Sequence, residues 1–308
     1  MIYSINEWDQ LKEVVVGRAD FANWPSNDPV FSKENEKTTW TETPVPSGPV
    51  PDWIIDEANE DLDILASTLE NYGAIVHRPK AINYQERGGM YGYCPRDRLL
   101  VYGDTIVDPA MMYPCRDMEI EALDEVIYRA DTIHRMPRND RYVMDAANVL
   151  RLNDSMLYLE SVSGNYRAAH WLMEKFPEVR IEICKFYSGV HIDSTIVPLR
   201  EGLVLVNASR VNLEDNLPNV FDSWDIIWAT EDDINEQGFY QYPYASKWIA
   251  LNMLVLDPNT VIVDKNQNKL IKILEACNFT VIPLELRHSR TLGGGFHCVT
   301  LDLLRVGK

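Results

Sequence analysis

A repeat constrains this chain more than any other feature. Two β-rich runs joined by turn residues read as a hairpin. Four such units are present: 99–108 around Gly103-Asp104, 149–160 around Asn153-Asp154, 196–207 around Glu201-Gly202, and 254–264 around Pro258-Asn259. Their turns lie about 50 residues apart. Each hairpin is followed by a segment of helical character and a further short strand: 117–130 then 132–136, 162–175 then 179–186, 213–221 then 225–229, and 266–277 then 279–284. A fifth copy is split, with lone strands at 13–17 and 298–305 and a helix at 55–72 followed by 74–77. The predicted fold class is α/β: a pseudo-fivefold ring of ββαβ units, closed by pairing 13–17 with 298–305. Radial closure is one way for a sheet-rich chain to avoid open edges. Spacing alone also fits the alternating elements of a doubly wound sheet, and that alternative stays open on periodicity. On the ring reading, 1–308 is one domain with a long Pro-, Ser-, Asn- and Thr-rich loop at about 20–52, either a lid or a solvated excursion.

Chemically capable side chains gather just ahead of the first hairpin strand in every unit. They are Pro95-Arg96-Asp97, Met144-Asp145-Ala146-Ala147-Asn148, His191-Ile192-Asp193-Ser194-Thr195, Ala245-Ser246-Lys247-Trp248 and Gly293-Gly294-Gly295-Phe296-His297-Cys298. In a pseudo-symmetric ring, equivalent positions converge on the axis, so Asp, His and Cys would meet in one cavity. An Asp that orients a His, with the His in reach of a thiol, makes a nucleophile with a proton shuttle beside it. Cys298 is the candidate nucleophile, because the three glycines before it permit positive φ and close approach of a ligand. Cys94, Cys115, Cys184 and Cys277 read as small buried hydrophobes. His191 and Asp193, two apart, point to the same side of an extended segment. His77, His134, His170 and His288 lack such company. Taken alone, Asp97 also reads as a turn residue, Asp145 as a cap and Arg210 as a surface charge.

Composition narrows the class. The chain is 46% hydrophobic and 25% charged, a globular balance. Its 29 basic and 47 acidic residues give a formal charge of −18, which repels phosphate backbones and anionic lipid, so neither nucleic acid nor a membrane is an expected partner. Five scattered cysteines without CxxC or zinc spacing suggest neither a disulfide framework nor a structural metal. The first residues lack a secretory pattern and no apolar run is long enough to span a bilayer, which makes a cytoplasmic setting the expectation.

Taken together, the motifs resemble the arginine amidinotransferases, the family that includes arginine:glycine amidinotransferase and the inosamine-phosphate amidinotransferases. The resemblance runs from Asn6-Glu7-Trp8-Asp9 and Glu13-Val14-Val15-Val16-Gly17-Arg18 through the Asp97, Asp145, His191 and Ser246 clusters to Leu292-Gly293-Gly294-Gly295-Phe296-His297-Cys298. It implies a five-bladed α/β propeller that transfers the amidino group of L-arginine to an acceptor amine and releases L-ornithine, without metal or organic cofactor. Residue by residue, it implies Cys298 as nucleophile, His191 as general acid/base and Asp145 as the carboxylate paired with it. Asp97 and Asp193 would hold the donor guanidinium and Arg210 its α-carboxylate, with Ser246 and Gly294 among the substrate-binding positions. A homodimer is compatible with the resemblance. Ahead of His-Ile-Asp the glycine-using enzyme has Asn-Pro-Met, where this chain has Ser188-Gly189-Val190. That leaves a smaller wall, read either as room for a bulkier acceptor or as neutral drift. Two alternatives remain: an arginine deiminase or dihydrolase of the same superfamily, and a non-catalytic arginine-binding propeller. A cysteine protease is disfavoured, since no Cys-Gly-Ser-Cys-Trp signature surrounds any cysteine.

Overall fold

The structure is a computed structural model that describes residues 2–35, 44–187, 189, 191–211 and 217–307. It contains five three-stranded sheets of one design. In each, a central strand pairs antiparallel with its hairpin partner and parallel with a third strand that arrives after a helical crossover. The hairpins are Leu100–Tyr102 with Thr105–Asp108, Val149–Leu152 with Ser155–Leu159, Ile196–Arg200 with Leu203–Asn207, and Leu254–Asp257 with Thr260–Asp264. Their third strands are Thr132–Arg135, Arg180–Cys184, Asp225–Ala229 and Thr280–Leu284. The fifth sheet is assembled from distant parts of the chain: Gln10–Val16 pairs antiparallel with Thr300–Val306 and parallel with Ile75–His77.

Four apolar clusters weld these sheets in cyclic order. One joins the fifth sheet to the 100–108 hairpin through Val15, Val101, Ile106 and Leu303. The next joins that hairpin to 149–159 through Leu100, Val107, Val149 and Met156. A third runs through Leu157, Val204 and Val261. The last returns from Leu254 and Ile262 to Val14 and Val16. This mixed α/β arrangement fits the five-bladed propeller and sets aside the doubly wound sheet, whose strands would share one ladder.

The crossovers vary. The helix Asp52–Tyr72 buries Ile54, Ile55, Ala58, Leu62, Leu65 and Leu69 along one stripe and ends at Gly73, whose φ of 99° suits a residue without a Cβ. Tyr166–Lys175 starts on Asn165, whose side chain accepts from the Ala168 amide. Where a helix is expected at 117–130, the chain instead forms a 3-10 segment, Pro114–Leu123, and one turn, Asp124–Ile127. The buried charges Arg116 and Glu119 point inward here and break the apolar stripe a regular helix would need. Of the expected 213–221 helix, the described part is a 3-10 turn at Asn219–Phe221; 213–216 lie outside the described residues. In the 20–52 segment, Asn23–Trp24 pairs with Gly48–Pro49 and a short helix spans Pro29–Asn35. Phe31 from that helix is fully buried and stacks on Tyr244, so this part of the predicted loop packs against the body. Among the described residues no helix is long and apolar enough to cross a membrane.

Candidate active site

The short segments just before the first strand of each sheet deliver the site. Asp97 lies in the single turn Pro95–Arg98. About 100° separates successive side chains on a helix, so three adjacent charges point three ways. Arg96 goes inward to Asp302 at 2.7 Å, Arg98 sideways to Asp108 at 2.8 Å, and Asp97 into the cavity. Asp145 and Ser246 each precede a 3-10 turn, Ala146–Asn148 and Lys247–Leu251, and His191 and Asp193 precede Ile196–Arg200. Cys298 lies two residues ahead of Thr300–Val306.

These segments meet around a cavity of about 630 Å³ lined by Asp97, Asp145, His191, Asp193, Arg210, Ser246 and Cys298. Seven of the eight site residues expected from sequence are therefore on one wall system. The eighth, Gly294, is not. It packs below the wall, where an added Cβ would lie 2.4 Å from Cys94 Sγ, and the glycine facing the cavity is Gly293. The glycine run thus serves protein packing more than ligand approach. Only Gly293 has positive φ, 81°, while a Cβ on Gly295 would meet the Asn252 backbone oxygen at 2.9 Å.

Cys298 is fully buried among polar partners. Its Sγ lies 3.3 Å from Asp193 Oδ2, and Sγ, a His191 ring nitrogen and an Asp97 carboxylate oxygen all fall within 4.8 Å of one another. His191 Nε2 is 3.0 Å from Asp145 Oδ2, and its Nδ1 is 3.6 Å from Asp97 Oδ1. Burial pulls the His191 pKa down, but Asp97, Asp145 and Cys298 more than offset it, so the imidazole stands well above its ordinary value and is charged. The neighbouring Cys94 thiol, burial and Asp193 push Cys298 well above a normal thiol, with His191 pulling the other way. Both directions favour a neutral thiol beside an imidazolium over the reverse. His191 sits at φ 53°, a sparsely populated conformation for a residue with a Cβ. Its carbonyl accepts from the Tyr187 hydroxyl, which also receives the Thr195 Oγ1 bond.

The two carboxylates assigned to the donor differ in their surroundings. Arg116 occupies Asp97 Oδ2 at 2.9 Å, while Asp97 Oδ1 is buried and has no hydrogen-bond partner. Burial raises the Asp97 pKa against His191 and Arg116. For Asp193, burial is outweighed by His297 and His191, which hold it down at about 2. Arg210 donates to Ser194, Thr195 and Ser246 hydroxyls at 2.9–3.1 Å and lies 4.5 Å from the Tyr187 ring centroid. Among the described residues it meets no carboxylate at ion-pair distance. Ser188 and Val190, read from sequence as a smaller wall beside the histidine, lie outside the described residues.

The sequence reading missed Arg116, Asn252 and a buried charge network. Asn252 Oδ1 accepts from the His297 and Cys298 amides, both at 3.0 Å, and so fixes the backbone of Cys298. Below it, Glu7 and Asp302 bind Arg151, Arg96 and Arg305. A signal for that network existed: Arg151, Asp302 and Arg305 interrupt strands that are otherwise largely apolar.

No protein-family model matches the chain. Individual proteins do. Inosamine-phosphate amidinotransferase 1 of Streptomyces griseus is 40% identical, over 98% of this chain and 96% of that one. The solved structure of the inosamine-phosphate amidinotransferase StrB1 from S. griseus superposes with a TM-score of 0.92 at 37% identity, covering 100% of this chain and 98% of that one. A dimethylarginine dimethylaminohydrolase from Pseudomonas aeruginosa, at 13% identity and TM-score 0.70 over 95% and 99% of the two chains, shares the fold alone. With this identity and structural match sustained end to end, the chain belongs to the amidinotransferase family and is a transferase.

Proposed function

We propose that the protein transfers the amidino group of L-arginine to a primary amine through an amidino-cysteine on Cys298 and releases L-ornithine. The observation that carries this reading is Asp97 Oδ1, a buried acceptor that no hydrogen bond satisfies and that only His191 Nδ1 approaches, at 3.6 Å, beside the thiol that Asp193 also faces. A planar cation with N–H groups on its edges satisfies both carboxylates and places its central carbon at Sγ. Arg210, held by hydroxyls and not by acids, is left to take a carboxylate.

The Cys94 thiol, burial and the charges of Asp193 and Asp97 hold Cys298 protonated; the donor cation offsets those charges, and the thiol proton departs to solvent as the donor enters. The thiolate forms a bond to the guanidinium carbon, and the C–N bond to the ornithine nitrogen breaks as His191 gives that nitrogen its proton. Neutral His191, oriented by Asp145, then takes a proton from the acceptor amine as that nitrogen attacks the amidino carbon and sulfur leaves. A cavity of about 630 Å³ lies within the usual range of about 300–1,000 Å³ for a small-molecule site and has room for arginine and, after ornithine leaves, for glycine or a bulkier amine. The five free cysteines are compatible with a cytoplasmic setting.

The test is incubation with ¹⁴C-guanidino arginine and an amine panel of glycine, lysine, γ-aminobutyrate, diamines and amino sugars. Ornithine and a new guanidino compound are expected, with label held on the wild-type protein and absent from Cys298→Ala. Citrulline and ammonia would make the protein a hydrolase. Retention of label by Cys298→Ala would remove the nucleophile assignment.

A further inference from the structure

His297 lies next to the nucleophile in sequence, yet its side chain turns away from the thiol. Nδ1 is 2.8 Å from Asp193 Oδ2 and Nε2 is 3.2 Å from Glu7 Oε2, with the ring almost wholly buried. A neutral imidazole has one N–H and one lone pair, so either tautomer would set a lone pair against a carboxylate oxygen. The doubly protonated ring alone donates to both.

We propose that His297 is a positioning residue of the transfer reaction: an imidazolium clamped between Glu7 and Asp193 that keeps the Asp193 carboxylate ionised and aimed at the donor cation. Asp193 Oδ2 is the same oxygen that faces Cys298 Sγ, so the His297 contact decides where that oxygen lies relative to the reacting sulfur. Glu7 is itself fixed by Arg151, at 2.6 Å, with Arg96 at 3.7 Å. The chain of contacts therefore anchors the Asp193 carboxylate to the charge network beneath the cavity. Burial and Arg96 pull His297 toward the neutral form, while Asp193 and Glu7 raise its pKa above the ordinary value. Besides His297, the groups facing Asp193 are His191, Cys298, Arg210, Tyr187 and the Asn252 amide. Of these, His191 and Arg210 are cations and neither is hydrogen-bonded to its carboxylate among the described residues.

The inference rests on Asp193 as a guanidinium ligand, and the test separates the two. In His297→Asn the amide reproduces the Nδ1 donor without its charge; in His297→Gln it reaches toward Glu7 instead. With the imidazolium gone, burial prevails at Asp193 and its pKa rises, so arginine binding is lost at a higher pH as pH falls. The acid limb of kcat/KM for arginine is expected to move up by about one to three pH units in both folded variants. The arginine KM should rise by roughly tenfold or more, with kcat on the alkaline side changed less, and by more in His297→Gln than in His297→Asn. An unmoved acid limb in variants with wild-type melting profiles overturns the inference. In parallel, side-chain ¹⁵N NMR of the wild type is expected to show both His297 nitrogens protonated at neutral pH. A singly protonated ring overturns the inference regardless of the donor. If wild-type protein makes no ornithine from arginine, the donor assignment fails and the NMR result alone decides the charge on His297.

Discussion

Arg210 is the side chain proposed to hold the far end of the donor. Its side chain is partly buried, burial lowers its pKa, and three hydroxyls steer it without neutralising it. A cation left in that condition favours an anionic partner, and a carboxylate can meet it with two parallel N–H bonds. Arg210→Ala is expected to raise the arginine KM by about tenfold to a hundredfold, the loss of about 1.5–3 kcal/mol for a charge-assisted bond, with a smaller change in kcat. Decarboxylated arginine provides the control. The variant should treat it and arginine alike, whereas wild type should prefer arginine. An undiminished preference in the variant would assign the carboxylate to another group.

At the scale of elements, the site depends on turns more than on helices or strands. The segment from Ser289 to Cys298 is a single helical turn, a left-handed glycine and a tight passage over Asn252. Gly295→Ala would force a Cβ to within 2.9 Å of the Asn252 backbone oxygen, and backbone cannot swing aside as a flexible side-chain tip can. Loss of transfer activity together with a lowered Tm is expected, since the Cys298 amide must leave Asn252; wild-type kinetics in a soluble variant would show that the clamp does not hold the nucleophile. These turns also mark what could be read from sequence. Gly103-Asp104, Asn153-Asp154 and Glu201-Gly202 stand between largely apolar runs, so the hairpins and the polar clusters ahead of them were visible. Pro114–Leu123 was not, because its order comes from Arg116 reaching Asp97 and Glu119 and not from a repeating apolar face. His297 and Asn252 escaped for the same reason: their roles lie in contacts between sheets far apart in the chain.

At the scale of the whole molecule, the reactive surface rests on a knot of buried charge. Arg151, from the second strand cluster, bonds Glu7 from the amino-terminal segment, Asp302 from the closing strand and the carbonyl of Val101. Each of those partners belongs to a different sheet or segment, so one guanidinium ties several units at the centre of the ring. Removing one member leaves the others buried and uncompensated, which typically costs about 3–5 kcal/mol. Arg151→Met is expected to lower stability by that amount in denaturant titration, with an apolar side chain of similar length filling the space. A loss below about 1 kcal/mol would mean that water reaches Glu7 and Asp302 and that the knot is not dry.

The closing pair of strands has a further consequence during synthesis on the ribosome. Gln10–Val16 emerges early, but its antiparallel partner Thr300–Val306 follows only after all four hairpin sheets have been made. Cys298 stands at the threshold of that late strand. Asp97, Asp145, His191 and Asp193 are therefore all made before Cys298, the proposed nucleophile. On the proposed mechanism, the late strand that pairs with Gln10–Val16 is also the one that brings the thiol to the four earlier side chains.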